Sequence, residues 1–165
     1  MNDASRGKLY ALASAPVDLA LVIADGLSAT AVNCWAAELA LATLRALGND
    51  AVRIAPIALV EQGRVAIGDE IGAAFLADIV IVLIGERPGL SAADSLGVYV
   101  TWAPKVGRVD AERNCISNVR AEGLSIPIAA GQLVELIEEA RRHRCTGVAL
   151  SQAMQAGRAS LAVQQ

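Results

Sequence analysis

Short unbroken apolar runs alternate along this chain with longer amphipathic stretches, the rhythm of strands buried on both faces and separated by helices. Leu19 to Ala24 is the first such run, closed by Asp25-Gly26, and predicts a strand. The alanine-rich stretch after it keeps helical spacing to Leu47, with Ser28 or Thr30 as the cap and Gly48-Asn49 as the stop. Ala51 to Ile57 predicts a second strand, which Pro56, lacking a ladder donor, assigns to a sheet edge or a strand end. Gln62-Gly63-Arg64 predicts a loop and Asp69 to Leu76 a short helix, after which Ile79 to Ile84, the most hydrophobic stretch, predicts the central strand. Gly85-Glu86-Arg87-Pro88-Gly89 breaks that run abruptly, because proline and glycine form turns and proline pushes the residue before it out of helix. Val98 to Trp102 and Ile116 to Val119 predict a fourth and a fifth strand, and Ala129 to Arg142 a closing helix with Leu133, Leu136 and Ile137 on one face. Met154 to Gln165 is expected to form a weakly ordered tail.

Strands alternating with helices predict a three-layer, Rossmann-like α/β domain with a mostly parallel sheet. Ligands in such sheets bind outside the carboxyl ends of the strands. Asp25-Gly26, the Glu86 loop and the segment leading to Cys115 are therefore expected at one rim.

Composition narrows the partners. An apolar fraction of 55% with only 3% aromatics suits an aliphatic α/β interior, and a mean hydropathy of +0.46 points to surface covered by a partner subunit. The net charge of −3, with basic residues dispersed apart from Arg141, Arg142, His143 and Arg144, argues against a nucleic-acid partner. Three widely separated cysteines, Cys34, Cys115 and Cys145, form no CxxC pair, which predicts neither a disulfide framework nor a zinc site and suits a reducing cytosol. No apolar run approaches the ~20 residues of a membrane span, and Asn2, Asp3 and Ser5 occupy the place of a secretory signal's apolar region, so no membrane partner is expected.

The candidate chemistry is sparse. Neither GxGxxG nor GxxxxGK[ST] occurs. Asp25-Gly26-Leu27-Ser28 is the one glycine turn feeding a helix, readable as an anion site at a helix N-terminus or, more simply, as a turn with its N-cap. The single histidine, His143, lies among arginines near a helix end, where cations meet the helix dipole favourably, so no nucleophile and base pair is indicated and no catalytic residue is assigned. Glu86, just where the most buried strand ends, can accept hydrogen bonds from ligand amides or pair with Arg87 or Arg113. Cys115 reads as a small buried filler or as a ligand contact.

Four segments in order, VIADGLSATAV (22 to 32), GRVAIGDEIG (63 to 72), LIGERPGLSAADSLGVY (83 to 99) and DAERNCISNVRAEGLS (110 to 125), resemble the small subunit of adenosylcobalamin-dependent ethanolamine ammonia-lyase. The resemblance runs from about Val17 to Leu150 and implies an α/β subunit closing over adenosylcobalamin at the interface with a large subunit that holds the substrate. The resemblance implies that the cofactor keeps its own dimethylbenzimidazole below cobalt, and no Asp-x-His-x-x-Gly pattern places a histidine to replace it. Carried over by motif, the cofactor contacts fall on Val65, Glu86 and Cys115. The implied complex is a hetero-oligomer of the bacterial cytoplasm or of a bacterial microcompartment, converting ethanolamine to acetaldehyde and ammonia by a radical route. On this view residues 1–16 are a remnant of a longer N-terminal region, 17–150 the cobalamin-binding domain and 151–165 a tail, the whole being a truncated or a naturally short form. The Gly107 to Asp110 loop is one residue shorter than the family pattern. The alternative is an inactive module that holds cobalamin or docks a partner without lyase activity.

Overall fold

The computed structural model describes residues 1–48, 52–87 and 93–162, with side chains to 157. Five strands order as β2-β1-β3-β4-β5, where β1 is Val17–Ala24, β2 Ala58–Val60, β3 Ala77–Gly85, β4 Leu96–Trp102 and β5 Arg113–Val119. The most apolar run is the middle strand, buried along almost its whole length. Pairings β1/β2 and β1/β3 are parallel, whereas β3/β4 and β4/β5 are antiparallel. The Rossmann-like half of the sheet thus continues into an antiparallel half, because a short connection after Gly85 returns the chain alongside β3 where a parallel neighbour would need a crossover.

Alternate side chains of the sheet enter two cores. Leu19, Leu21, Ile79, Ile81, Leu83, Val98 and Val100 meet α3 (Ala37–Leu47) and α5 (Ile126–His143) on one face. Ala20, Val22, Val80, Val82 and Ile84 meet α4 (Ile67–Ala74) on the other, with α1 (Asp3–Leu12) packed outside α4 and Leu9 inserted. Helices on both faces give the three layers expected.

Ser28 is the cap used: its hydroxyl accepts from the Ala31 amide at 3.2 Å at the start of α2 (Ala29–Ala31). The helical path continues through a π-turn at Val32–Ala36 into α3 and stops at Gly48, whose φ of 73° suits glycine. Asn49 lies outside the described residues.

Three expectations change. Of the second strand expected over Ala51 to Ile57, Ala51 lies outside the described residues and 52 to 57 form none: Ile54 makes only an isolated bridge to Leu19, and β2 begins at Ala58, after Pro56. The proline ends no strand; it precedes one, at the sheet edge, where its missing donor costs least. Of the expected tail, residues 154–162 belong to a helix, α6, spanning Val148–Ala162, and 163–165 lie outside the described residues. Residues 1–16 also contain a helix that the hydropathy pattern left unannounced: α1, capped by the Asn2 side chain accepting from the Ser5 amide at 2.8 Å.

Helix α4 approaches β3 closely because it presents Gly68 and Gly72 one turn apart; a Cβ at Gly72 would stand 2.5 Å from Pro104 and 3.0 Å from Val80. Beside Gly68, Asp69 reaches across β4 to Arg113 of β5 in a bidentate pair, both N–O distances 2.8 Å, with side chains only 2% and 3% exposed. Arg113 also donates to Thr101 Oγ1 at 3.0 Å and the Arg108 carbonyl at 2.9 Å.

Removing one member of this pair strands a buried charge, which costs about 3–5 kcal/mol. Urea denaturation of Asp69→Leu and of Arg113→Met is expected to show losses of that size, with the double substitution costing less than either alone.

Candidate functional site

The parallel strands β1 and β3 both end at one rim, which brings Asp25-Gly26 beside Gly85: the Leu27 amide donates to the Gly85 carbonyl at 3.0 Å. The turn after β2 reaches the same rim. Asp25 accepts there from the Gln62 amide at 2.8 Å and the Gly63 amide at 3.1 Å, holding Gln62 in a left-handed conformation at φ 52°. The Asp25 carboxylate is therefore a brace for the turn that carries Val65, and these amide donations, the Gln62 bond first, pull its pKa below the ordinary 3.8. Arg64 adds a bond to the Gly26 carbonyl at 3.0 Å. The segment read as a turn with its N-cap is just that.

Val65 follows this brace, half-buried, and packs against the same core that Tyr99 borders. Glu86 follows β3 at the rim. Its amide donates to the Ser95 carbonyl at 3.0 Å, and its Oε2 accepts from the Ser95 hydroxyl and from the Asn118 amide, the latter at 3.2 Å. Neither ion-pair reading of Glu86 applies among the described residues, because Arg113 is committed to Asp69.

Cys115 pairs with Tyr99 in the β4/β5 register, and its side chain is exposed, so it is not a buried filler. Surrounding protein nonetheless pushes its thiol up, the negative charge of Glu86 adding to the rise and a hydrogen bond with Tyr99 opposing it. The Tyr99 hydroxyl, partly desolvated and next to Cys115 and Glu86, is pushed up to about 12. Both groups are neutral near pH 7 and serve as contact surface and hydrogen-bonding edge; neither is tuned as a nucleophile or base.

One placement differs from expectation. The segment leading to Cys115 starts at the opposite end of the sheet, where Arg113 pairs with Thr101, because β5 runs parallel to β3. Cys115 lies mid-strand, and it is the residues after it, ending at Asn118 and Val119, that reach the Glu86 rim. Val65, Glu86 and Cys115 still share the α4 face: α4 covers β1 and β3, while β4 and β5 have no helix of their own there among the described residues.

Tyr99, Ser95 and Asn118 were missed by sequence reasoning. Strand alternation could have put Tyr99 opposite Val98's face, but the contacts of Ser95 and Asn118 with Glu86 depend on tertiary pairing. His143 sits in the other helix layer, 3.3 Å from Glu139. No cluster of His, Cys, Asp and Glu able to hold a metal occurs among the described residues, and none of their helices is long and apolar enough to cross a membrane.

The class the fold defines is an open, mixed α/β sheet that, among the described residues, leaves β4 and β5 without a helix on the α4 face, beside a carboxylate, a tyrosine and a thiol. Residues 1–151 match the ethanolamine ammonia-lyase light chain family, and the chain belongs to it. It is 56% identical over 137 residues to the ethanolamine ammonia-lyase small subunit of Ralstonia nicotianae, covering 83% of this chain and 51% of that protein. The Azotobacter vinelandii small subunit is 57% identical over 133 residues, 81% and 49% of the two chains. That of Pseudomonas syringae pv. tomato is 50% identical over 153 residues, 91% and 53%. The chain thus spans about half the length of these curated relatives.

The Asp25 brace predicts a pH-dependent stability. With its folded pKa below 3.8, its contribution is complete above that value and vanishes as pH falls through the lower folded pKa. Asp25→Ala is expected to lose about 1 kcal/mol in urea denaturation at pH 6, and the gap to the parent chain should narrow steadily as the pH is taken below 3.8.

Proposed function

We propose that this chain is the cobalamin-facing part of an ethanolamine ammonia-lyase small subunit. It closes over adenosylcobalamin at the interface with the large subunit, in a bacterial cytoplasmic or microcompartment complex that converts ethanolamine to acetaldehyde and ammonia. The observation that carries this reading is that Val65, Glu86 and Cys115, from three separate segments, lie on one face of the sheet, with Glu86 near enough to Cys115 for its charge to act on the thiol.

The residues suit the cofactor chemically. A corrin has an apolar edge studded with amides, which are N–H donors and carbonyl acceptors. This face provides an acceptor in Glu86, apolar contact in Val65 and a soft, neutral edge in Cys115 with the Tyr99 hydroxyl beside it. When bound, adenosylcobalamin supplies a cobalt–carbon bond whose homolysis starts the radical chemistry. This chain's part is placement and exclusion of water, so it needs no acid or base, in keeping with a thiol and a phenol both pushed towards their neutral forms. A base-on cofactor accords with the position of His143 in the opposite layer.

The test is reconstitution. Mixed with a cognate large subunit and adenosylcobalamin, the chain is expected to release acetaldehyde from ethanolamine, which neither subunit does alone. Silence from a folded chain would favour instead a module that docks a partner without supporting the lyase. Glu86→Gln, nearly isosteric, should weaken cobalamin retention in the complex by about 1–3 kcal/mol, the scale of a hydrogen bond to a charged group. Cys115→Ser should cost less, because it loses packing alone. Unchanged affinity in a folded Glu86→Gln complex would remove Glu86 from the site.

A further inference from the structure

Glu86 is oriented by an arrangement that lies outside the three family-pattern residues. In β4/β5, Leu96 pairs with Val119 but Val98 pairs with Ile116, so Ser117 and Asn118 together stand opposite Gly97, a bulge of one residue. Asn118 adopts φ 61°, and its amide turns to Glu86 Oε2 at 3.2 Å. This conformation is held from the far side. The Leu124 amide donates to the Asn118 carbonyl at 2.8 Å, and Arg120 Nε donates to Asn118 Oδ1 at 2.8 Å.

Ser95, only 6% exposed, gives its hydroxyl to the same oxygen. Opposite the bulge, Gly97 leaves room for the carboxylate: a Cβ there would stand 3.0 Å from Glu86 Oε1 and 3.1 Å from its Cγ. Both donors therefore fall on Oε2, and among the described residues none reaches Oε1.

We propose that Ser95 and Asn118 are positioning residues that occupy Oε2 of Glu86, and that Gly97 is the clearance for it, so that Oε1 is presented as the acceptor for an amide N–H of the bound ligand. This rests on the cobalamin-facing function proposed above and adds how the acceptor is aimed. A glutamate at a rim has three side-chain torsions to fix. Two donors on one oxygen fix them before the ligand arrives, and a preorganised acceptor binds more tightly than a mobile one.

The geometry is tested on the unliganded chain by amide hydrogen exchange. The Asn118 amide is expected to exchange faster in Glu86→Ala, and an unchanged rate in a folded variant would overturn the contact. The positioning role is tested in the complex with the large subunit, using hydroxocobalamin as the probe and reading its dissociation constant, not turnover. Ser95→Ala is expected to raise that constant about fivefold, the worth of one hydrogen bond. In a Glu86→Gln background the same substitution is expected to change it by less than about twofold, because the two residues act as one unit. Ser95→Thr, which keeps the hydroxyl, should restore most of the affinity, and Gly97→Ala should weaken binding by displacing the carboxylate. Additive losses from Ser95→Ala and Glu86→Gln would overturn the positioning role while leaving Glu86 in the site. No loss from Glu86→Gln itself would overturn the cofactor contact and this inference with it.

Discussion

The buried Asp69–Arg113 pair fixes the relation between the two halves of the sheet. Helix α4 is built to lie on β3 through Gly68 and Gly72, and strand β5 is an antiparallel edge strand two places away. One carboxylate and one guanidinium, each almost fully buried, connect them over the top of β4. Two charges taken out of water at that depth are tolerable only when bonded to each other and to further polar groups, and here Thr101 and the Arg108 carbonyl complete the guanidinium's partners except at Nε. The arrangement leaves little freedom of register. If β5 slipped by one residue, Arg113 would turn to the other face and Cys115 with it, so the pair also sets which face the thiol occupies.

That registry matters at the rim, where groups from four places must agree. Asp25 after β1 braces the turn after β2, Gly85 at the end of β3 accepts from the turn after β1, and the bulge near the end of β5 supplies the Asn118 amide to Glu86. Each link is made by backbone groups at a strand end that have no ladder partner, satisfied by a carboxylate or carbonyl from the neighbouring connection. These links hold the rim together with no disulfide and no metal-binding cluster of His, Cys, Asp and Glu among the described residues.

Much of this was legible in the sequence because it follows from periodicity. The unbroken run of Ile, Val and Leu at 79 to 84 could only be a strand buried on both faces, and Ser28 and Gly48 announced the ends of a helical stretch. Errors came where local signals compete. Val52 to Ile57 has strand-like composition, yet Pro56 interrupts the ladder and only a bridge survives at Ile54. Asp3–Leu12 has a weak apolar stripe and owes its helix to the Asn2 cap and to Leu9 docking on α4's layer, neither of which periodicity reports. The site was legible as residues but not as an arrangement. That Glu86 would meet Ser95 and Asn118 in place of Arg113 depends on a bulge whose Asn118 lies 32 residues beyond Glu86 in the chain, and bulges leave no periodic trace.

The two faces of the sheet are covered unevenly. On one face α3 and α5 cover the strands out to β4 and β5, and on the other α4 stops short after covering β1 and β3. On the function proposed above, an open flank of Tyr, Cys and Gly beside a carboxylate gains from burial against a large, flat, amide-rimmed surface. Because burial against such a surface desolvates whatever lies on the flank, groups there that are already neutral cost least to cover: a phenol near 12 and a raised thiol need shed no charge. The one charge that remains, on Glu86, is the one provided with donors for half of its oxygens in advance, which lowers the cost of covering it and leaves a single oxygen to be matched from outside.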